Sequence, residues 1–189
     1  LRAFVARILL GIVLCCLSIG PSVDLSTNIA YGTDFDSDSD LDGGPQCLQP
    51  IWQDEFSGST VDTRKWQFDL GDGCDRGLCG WGNDEQQWYQ ADNALVANGA
   101  LHINGRRERS NGRWYTSAKL TTQGRFSAQY GRFEARMKLP SGQGFLPAFW
   151  MMPRSDSKWP LAGEIDILES SGHTPETILG AIHFWPRVA

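Results

Sequence analysis

Three acidic residues stand inside a short apolar run, "GEIDILES" at residues 163–170: Glu164, Asp166 and Glu169. A carboxylate is costly to bury unless it is paired or hydrogen-bonded, so these acids are unexpected in a segment that otherwise has the composition of a buried strand. Two carboxylates held close together push the pKa of one of them upward, which keeps that one protonated near neutral pH. Such a pair can supply both a nucleophile and a proton donor, whereas the alternative is a salt-bridged structural cluster.

The spacing of the acids leaves two arrangements open. The run is too short for a helix, on which the three acids would point in scattered directions, and its isoleucines favour a strand. On a regular strand Glu164 and Asp166 share one face, whereas Glu169, five residues after Glu164, lies on the other face. Either Glu169 is an incidental surface acid, or a β-bulge absorbs one residue and returns its side chain to the acid face.

The bulged arrangement has a metric consequence. It places the Cα atoms of Glu164 and Glu169 about 13 Å apart, four strand steps along the chain. If both side chains lean inward on a concave strand, the carboxyl groups approach to about 5–6 Å, close to the separation between nucleophile and acid/base in retaining glycosidases. Asp166, between them, is short enough not to obstruct. The bulge therefore predicts the chemistry of a retaining glycosidase.

Aromatic residues lie close to these acids in the sequence. Those nearest are Trp150, Trp159 and Trp185, and Trp81 and Trp88 lie upstream. Aromatic faces stack on the C–H surfaces of sugars, although any single Trp is more often part of a core. His183 could form a hydrogen bond within a cleft, but a lone histidine in an apolar run is more often a satisfied core residue.

From residue 47 onward the sequence predicts an all-β fold. Short alternating or apolar runs are separated by Gly, Pro, Asn and Asp, and no long helical periodicity is present. Candidate strands lie in the runs 100–105, 131–140, 144–153 and 178–185. In 131–140 the apolar side chains alternate with charged ones, which is typical of a half-buried strand. A sandwich of antiparallel sheets is the expected architecture.

The composition divides the chain into three parts. Residues 1–32 have the order of a secretory signal peptide, with arginines, an apolar run at 8–20 and then small residues, which predicts a secreted or periplasmic protein. The alternative is an uncleaved membrane anchor. Residues 33–46 predict a solvated acidic linker, and residues 47–189 form the candidate catalytic domain.

The charge is unevenly distributed along these parts. The net charge is −5, of which residues 1–46 carry −4 with six Asp and two Arg, so the remaining domain is nearly neutral. A nearly neutral domain without a basic stripe argues against a nucleic-acid partner and favours an uncharged ligand. We expect a monomer without a stable membrane partner.

The cysteines favour a disulfide over a metal site. In an exported protein Cys74 and Cys79 could close a short Gly-rich loop, with ordinary reduced thiols as the alternative, and Cys47 is left without an evident partner. Zinc is not expected, because no second cysteine pair or histidine cluster completes a site. The segment 38–43, "DSDLDG", matches the start of a calcium loop, but Gln49 stands where a bidentate Glu is expected.

At "GEIDILES" the sequence resembles glycoside hydrolase family 16, in particular its laminarinase-like endo-1,3-β-glucanases. The resemblance includes the motifs "IWQDEFSG", "CGWGNDEQQWY", "YTSAKLTTQGRFSAQYGRFEARMKLPSGQG", "PAFWMM" and "GAIHFW", in this order over residues 50–185. It implies a concanavalin-like β-jelly roll with a substrate cleft on its concave face and a polysaccharide substrate. No cofactor would be required for catalysis, and a structural calcium is a candidate. Family domains continue for several more strands after the one that contains His183, so the domain at 47–189 would be incomplete at its C-terminus.

The resemblance also implies roles for individual residues. Glu164 would be the nucleophile, Glu169 the acid/base, and Asp166 the residue that positions the nucleophile and tunes its charge. The spacing of the two glutamates is that of the laminarinase branch, whereas the mixed-linkage branch has the unbulged spacing. Sugar contacts are implied for Asn83, Lys119, Trp150, Trp159 and His183.

Two departures from the family pattern bear on the sugar subsites. Lys119 is a single-point donor where many members have the forked guanidinium of Arg, and Leu146 stands where many have Trp. Other activities within the family remain alternatives, namely cleavage of mixed-linkage β-1,3-1,4-glucan or of a marine galactan. A non-catalytic β-glucan-binding protein is a further alternative, although the binding-only relatives have lost the catalytic glutamates that are present here.

Overall fold

The computed structural model describes residues 49–155 and 158–185, together with the backbone of residues 7–9. Apart from that short stretch, the predicted signal peptide at 1–32 and the predicted linker at 33–46 lie outside the described residues. The candidate calcium segment 38–43 and Cys47 lie outside them as well. The predicted domain at 47–189 is therefore described over most of its length.

The all-β prediction is confirmed, because the described elements are strands and short 3-10 turns. The strands are β1 (Arg7–Leu9), β2 (Gln67–Asp69), β3 (Gln87–Tyr89), β4 (Ala94–Ala97), β5 (Ala100–Ile103), β6 (Tyr115–Ser117), β7 (Lys119–Thr121), β8 (Met137–Lys138), β9 (Ala148–Met151), β10 (Glu164–Glu169) and β11 (Leu179–His183). The 3-10 turns span Cys74–Arg76, Cys79–Gly82 and Ala91–Asn93. Within the described parts of the chain, no helix has the length and apolar character needed to cross a membrane.

Three of the four candidate strand runs contain a strand of four or more residues, and the fourth is shorter than predicted. Strands β5, β9 and β11 lie within the runs 100–105, 144–153 and 178–185. In the run 131–140 only Met137–Lys138 is a strand, where two residues pair with β1. The alternation of apolar and charged residues indicates which side chains would share a face, but a strand also requires hydrogen-bond partners for its backbone groups.

The strands form four sheets. The largest has the order β4-β5-β1-β8, a three-stranded sheet has the order β11-β10-β9, and two pairs join β2 to β7 and β3 to β6. The pairs are antiparallel except for β3 and β6, which are parallel. Parallel strands need a long crossover connection, and the chain between them provides it with the β4-β5 hairpin. The antiparallel architecture predicted from the sequence thus includes one parallel pair.

A small hydrophobic core lies against the β4-β5 hairpin. Its fully buried members are Phe56, Val96 and Leu101, and Val96 stands opposite Leu101 across the hairpin. Trp66 and Leu120 pack against this cluster. Burying side chains of this size contributes about 1.5–3 kcal/mol each. The core therefore connects the hairpin with the β2-β7 pair.

Buried polar side chains fix the segment 85–93 against β6. Gln87 is fully buried, and its Nε2 donates to Glu85 Oε2 at 2.8 Å and to Tyr89 Oη at 2.9 Å. Asn93 Nδ2 donates to Thr116 Oγ1 on β6 at 2.9 Å. Hydrogen bonds of this kind offset the cost of removing polar groups from water. The bonds of Gln87 order the segment itself, and the bond of Asn93 ties it to β6, which ends shortly before Lys119.

A disulfide between Cys74 and Cys79 closes the loop that follows β2. Gly73, before the first turn of this loop, has a φ of 82°, in the left-handed region that favours glycine. A Cβ atom on Gly73 would lie 2.2 Å from the carbonyl oxygen of Leu78, so the chain passes too close to itself for a side chain there. Beyond the loop, Trp81 Nε1 donates to Gly71 O at 3.2 Å.

Replacing Gly73 by Ala should therefore destabilise the protein more than the matched change Gly77→Ala. Both glycines have positive φ, but a Cβ atom on Gly77 meets nothing within 4 Å. The strain of a left-handed backbone is common to both variants, and the contact with Leu78 adds about 1–3 kcal/mol of overpacking in Gly73→Ala alone. Urea denaturation measures the two free energies of unfolding. Equal losses would show that the contact with Leu78 does not constrain the loop.

Candidate active site

The acids lie on β10, the central strand of the three-stranded sheet. Glu164 stands opposite His183 of β11, and Asp166 stands opposite Trp150 of β9. The neighbouring strands thus bring one imidazole and one indole to the acid segment. Trp150 lies 16 residues before Asp166 in the sequence, and His183 lies 19 residues after Glu164.

A β-bulge interrupts β10 between Asp166 and Glu169. From Asp166 to Glu169, β10 advances by three residues while the paired strand β11 advances by two. From Asp166 to Leu168, β10 advances by two residues while β9 advances by one. The extra residue restores Glu169 to the face that Glu164 and Asp166 share. Of the two arrangements that the sequence left open, the structure has the bulged one.

A hydrogen bond from an indole and a contact with an imidazole orient the first two acids. Trp159 Nε1 donates to Glu164 Oε2. Asp166 is buried, with 5% of its surface exposed, and its Oδ2 lies 3.1 Å from His183 Nε2. The rings of Trp159 and His183 have centroids 5.7 Å apart, so the two partners also contact each other. The carboxylates are therefore compensated within a single cluster.

Glu169 has an altered pKa. Burial raises the pKa of its carboxyl above the ordinary value, and the negative charges of Asp166 and Glu164 raise it further, while His183 lowers it in part. Carboxyl groups in such surroundings hold their proton at higher pH than free ones. The cluster thus combines a hydrogen-bonded carboxylate, Glu164, with a carboxyl group, Glu169, whose pKa is raised. A raised pKa suits a carboxyl group that donates a proton.

The predicted contact residue Lys119 lies between two indoles. Its Nζ is 4.0 Å from the ring centroid of Trp81 and 5.1 Å from that of Trp150. Burial lowers the pKa of the Lys119 ammonium, and the charges of Glu85, Asp69 and Glu164 raise it while that of Arg76 lowers it. Lys119 is thus held by ring faces beside the acid strand.

The remaining predicted residues differ in their surroundings. Asn83 is exposed and follows the turn that carries Trp81, with its backbone N–H donating to Gly80 O at 3.0 Å. Trp159 combines its hydrogen bond to Glu164 with 57% exposure, so its ring remains accessible. Trp185 is 63% exposed after β11, and Trp88 is half-buried on β3.

The sequence left two interpretations of His183, a contact residue in a cleft and a satisfied core residue, and the structure does not bury it in a core. Its side chain is 43% exposed and is directed at Asp166. The signal was present in the sequence, because antiparallel pairing of the runs 163–170 and 178–185 through a short connection brings His183 close to the acids. The stack of Lys119 on Trp81 and Trp150 had no such signal, since its three members lie on separate elements.

The described residues contain no group of three or more His, Cys, Asp or Glu side chains arranged to hold a metal ion. In the acid cluster on β10, the indole of Trp159 and the imidazole of His183 contact the carboxyl groups of Glu164 and Asp166.

A family profile and several similar proteins indicate the same family. Residues 82–186 match the sequence profile described as "Glycosyl hydrolases family 16". The beta-glucanase of Rhodothermus marinus is 45% identical over 141 residues, which cover 70% of this chain and 47% of that protein. The glucan endo-1,3-beta-glucosidase A1 of Niallia circulans is 37% identical over 182 residues, which cover 88% of this chain and 26% of that protein.

A solved structure supports the same assignment. The endo-beta-1,3-glucanase from Pyrococcus furiosus superimposes with a TM-score of 0.65 and 42% identity, over 71% of this chain and 54% of that chain. This likeness confirms the expected all-β jelly roll. The chain spans less than two thirds of the length of each of these relatives. Because the profile match covers more than half of the chain and includes all three acids, the chain belongs to glycosyl hydrolase family 16.

Proposed function

We propose that this protein is an exported, retaining endo-β-glucanase that hydrolyses β-1,3-glucan of the laminarin type. The observation that carries the proposal is the bulge in β10, which returns Glu169 to the face of Glu164 and Asp166. Without that extra residue the two glutamates would lie on opposite faces and could not act on one glycosidic bond.

In the first step Glu164 is the nucleophile. The hydrogen bond from Trp159 Nε1 to its Oε2 orients the carboxylate, so that an oxygen can attack the anomeric carbon of the sugar. As the new C–O bond forms, the glycosidic C–O bond breaks and Glu169 donates its proton to the leaving oxygen. The raised pKa of Glu169 supports this role, because the proton must be present at the start of the step.

In the second step water displaces the enzyme from the sugar. The Glu169 carboxylate, now without its proton, removes a proton from a water molecule that attacks the anomeric carbon. The bond between the sugar and Glu164 breaks, and Glu169 returns to its protonated form. Two inversions at the same carbon give overall retention of configuration.

Asp166 and His183 support both steps. The charge of Asp166 raises the pKa of Glu169, and the contact between Asp166 Oδ2 and His183 Nε2 holds the Asp166 side chain in place. Asp166 is thus proposed as a positioning residue between the two glutamates. Because its pKa effect on Glu169 is electrostatic, it does not require contact with the substrate.

The substrate and the location rest on separate observations. A nearly neutral domain and exposed indoles such as that of Trp159 favour an uncharged sugar chain. The similarity to two relatives, a beta-glucanase and a glucan endo-1,3-beta-glucosidase, favours β-1,3-glucan. Export is supported by the signal-peptide pattern at 1–32 and by the disulfide between Cys74 and Cys79.

Replacing either glutamate by glutamine tests the assignment of roles. Glu164→Gln should abolish the release of reducing sugars from laminarin, because an amide cannot form the glycosyl ester. Glu169→Gln should lower the rate about 10²–10⁴-fold, the usual contribution of a general acid. The loss in Glu169→Gln should be smaller for an aryl glycoside with an acidic leaving group, which needs no protonation.

The matched control is Glu176→Gln, an exposed acid in the connection between β10 and β11, which should retain wild-type activity. Unchanged activity in Glu164→Gln would refute the proposed mechanism. Tight binding of laminarin without turnover by the wild-type protein would favour a non-catalytic β-glucan-binding protein instead.

The pH dependence of the reaction tests the role of Asp166. Asp166→Asn removes a negative charge that raises the pKa of Glu169, so Glu169 should lose its proton at lower pH. The alkaline limb of kcat/KM against pH should therefore move to lower pH than in the wild type. A limb that stays in place or moves to higher pH would contradict the electrostatic role.

The stereochemistry and the substrate can be measured together. Proton NMR during the first minutes of laminarin hydrolysis should show the β-anomer of the new reducing end before mutarotation. Parallel assays should give faster product release from laminarin than from lichenan or agarose. Faster release from lichenan or agarose would replace the proposed substrate with the corresponding polysaccharide.

A further inference from the structure

Four side chains, two cations and two indoles, are joined by cation–π contacts. The Arg76 Cζ atom lies 5.2 Å from the ring centroid of Trp81, and Lys119 Nζ lies 4.0 Å from the same centroid. Lys119 Nζ also lies 5.1 Å from the centroid of Trp150. Each contact is within the range in which a cation is attracted to the negative face of a ring. We call Arg76, Trp81, Lys119 and Trp150 the cation–indole stack.

One end of the stack is fixed by the disulfide loop. Arg76 lies between the two bonded cysteines, and its Nη1 lies 2.8 Å from Asp69 Oδ1 on β2. Trp81 is held by the hydrogen bond from its Nε1 to Gly71 O. Asp69 in turn stands opposite Lys119 in the β2-β7 pair. The disulfide loop and the β2-β7 pair therefore both constrain the position of the Lys119 ammonium.

The other end of the stack reaches the acid strand. Trp150 lies on β9, directly opposite Asp166 of β10. The resemblance to the family implies a sugar contact for Trp150. A shift in its ring plane would change the stacking surface next to the acids without altering the acids themselves.

We propose that Lys119 is a positioning residue, which joins the indole of Trp81 to that of Trp150 and so fixes the sugar-stacking face beside the acids. The inference rests on the proposed function and extends it, because it makes the disulfide loop part of the apparatus that aligns the sugar chain. Lys119 acts here through the two rings. Its role does not require a hydrogen bond to the substrate.

Kinetics of three variants in the full chain test this role. Lys119→Met keeps the length and apolar stem of the side chain but removes the charge, whereas Lys119→Arg keeps a cation that can stack on both rings. The matched control is Arg109→Met, which removes a cation 4.3 Å from the ring of Trp114 in another part of the fold. Lys119→Gln is a second neutral variant in case Lys119→Met does not fold.

The expected result is a separation of KM from kcat. Lys119→Met should raise KM for a laminarin oligosaccharide about tenfold, as expected for the loss of desolvated cation–π contacts, while kcat falls less than about threefold. Lys119→Arg and Arg109→Met should keep KM within about twofold of the wild type. The near-UV circular dichroism of the tryptophans, recorded without substrate, should change in Lys119→Met and be largely restored in Lys119→Arg.

Three outcomes would overturn the inference. They are an unchanged KM and spectrum in Lys119→Met, an equal rise of KM in Lys119→Arg and Lys119→Met, and a loss of kcat with KM unchanged. The last would indicate a direct role in the chemistry. If the wild-type protein hydrolyses no β-glucan, the proposed function fails, and the Kd of the oligosaccharide from calorimetry then replaces KM. The spectra and the Kd values would still decide whether Lys119 positions Trp150.

Discussion

A strand directs successive side chains to opposite faces, and this constraint governs the acid site. Glu169 is five positions after Glu164, an odd number of strand steps, so a regular β10 would place their carboxyl groups on opposite sides of the sheet. The bulge after Asp166 absorbs one residue and brings all three acids to one face. Because β10 pairs on both sides, the bulge is accommodated by β9 and β11 together, and their register determines which side chains meet the acids.

Bringing three acids together has an electrostatic cost that the surroundings offset only in part. The indole of Trp159 and the imidazole of His183 each contact one carboxylate. For Glu169, burial and the charges of the other two acids together raise the pKa. This repulsion is not cancelled at Glu169, as the raised pKa of its carboxyl group indicates. Its persistence at one carboxyl group is what makes that group a proton donor in the proposed reaction.

Local features of the fold could be predicted from the sequence, and features that depend on pairing could not. The apolar runs located β5, β9, β10 and β11 because burial pattern follows strand periodicity. The run 131–140 has the same alternation, yet only Met137–Lys138 has a partner strand. Likewise, the spacing of the acids left two possibilities for Glu169, a β-bulge that returns it to the acid face or an incidental surface position. Only the registers of β9 and β11 with β10 distinguish them.

The same distinction explains which site residues were recognised. The acids and nearby tryptophans are visible as types and spacings, whereas the partner of Asp166 depends on how β11 returns to β10. The cation–indole stack brings together three separate parts of the chain, and from the sequence alone Lys119 can be interpreted only as a hydrogen-bond donor. In the folded protein, however, Lys119 lies where the disulfide loop meets the acid sheet. Replacing Lys119 by a neutral residue would therefore shift the ring of Trp150 through its packing, even though the acid cluster keeps its own hydrogen bonds.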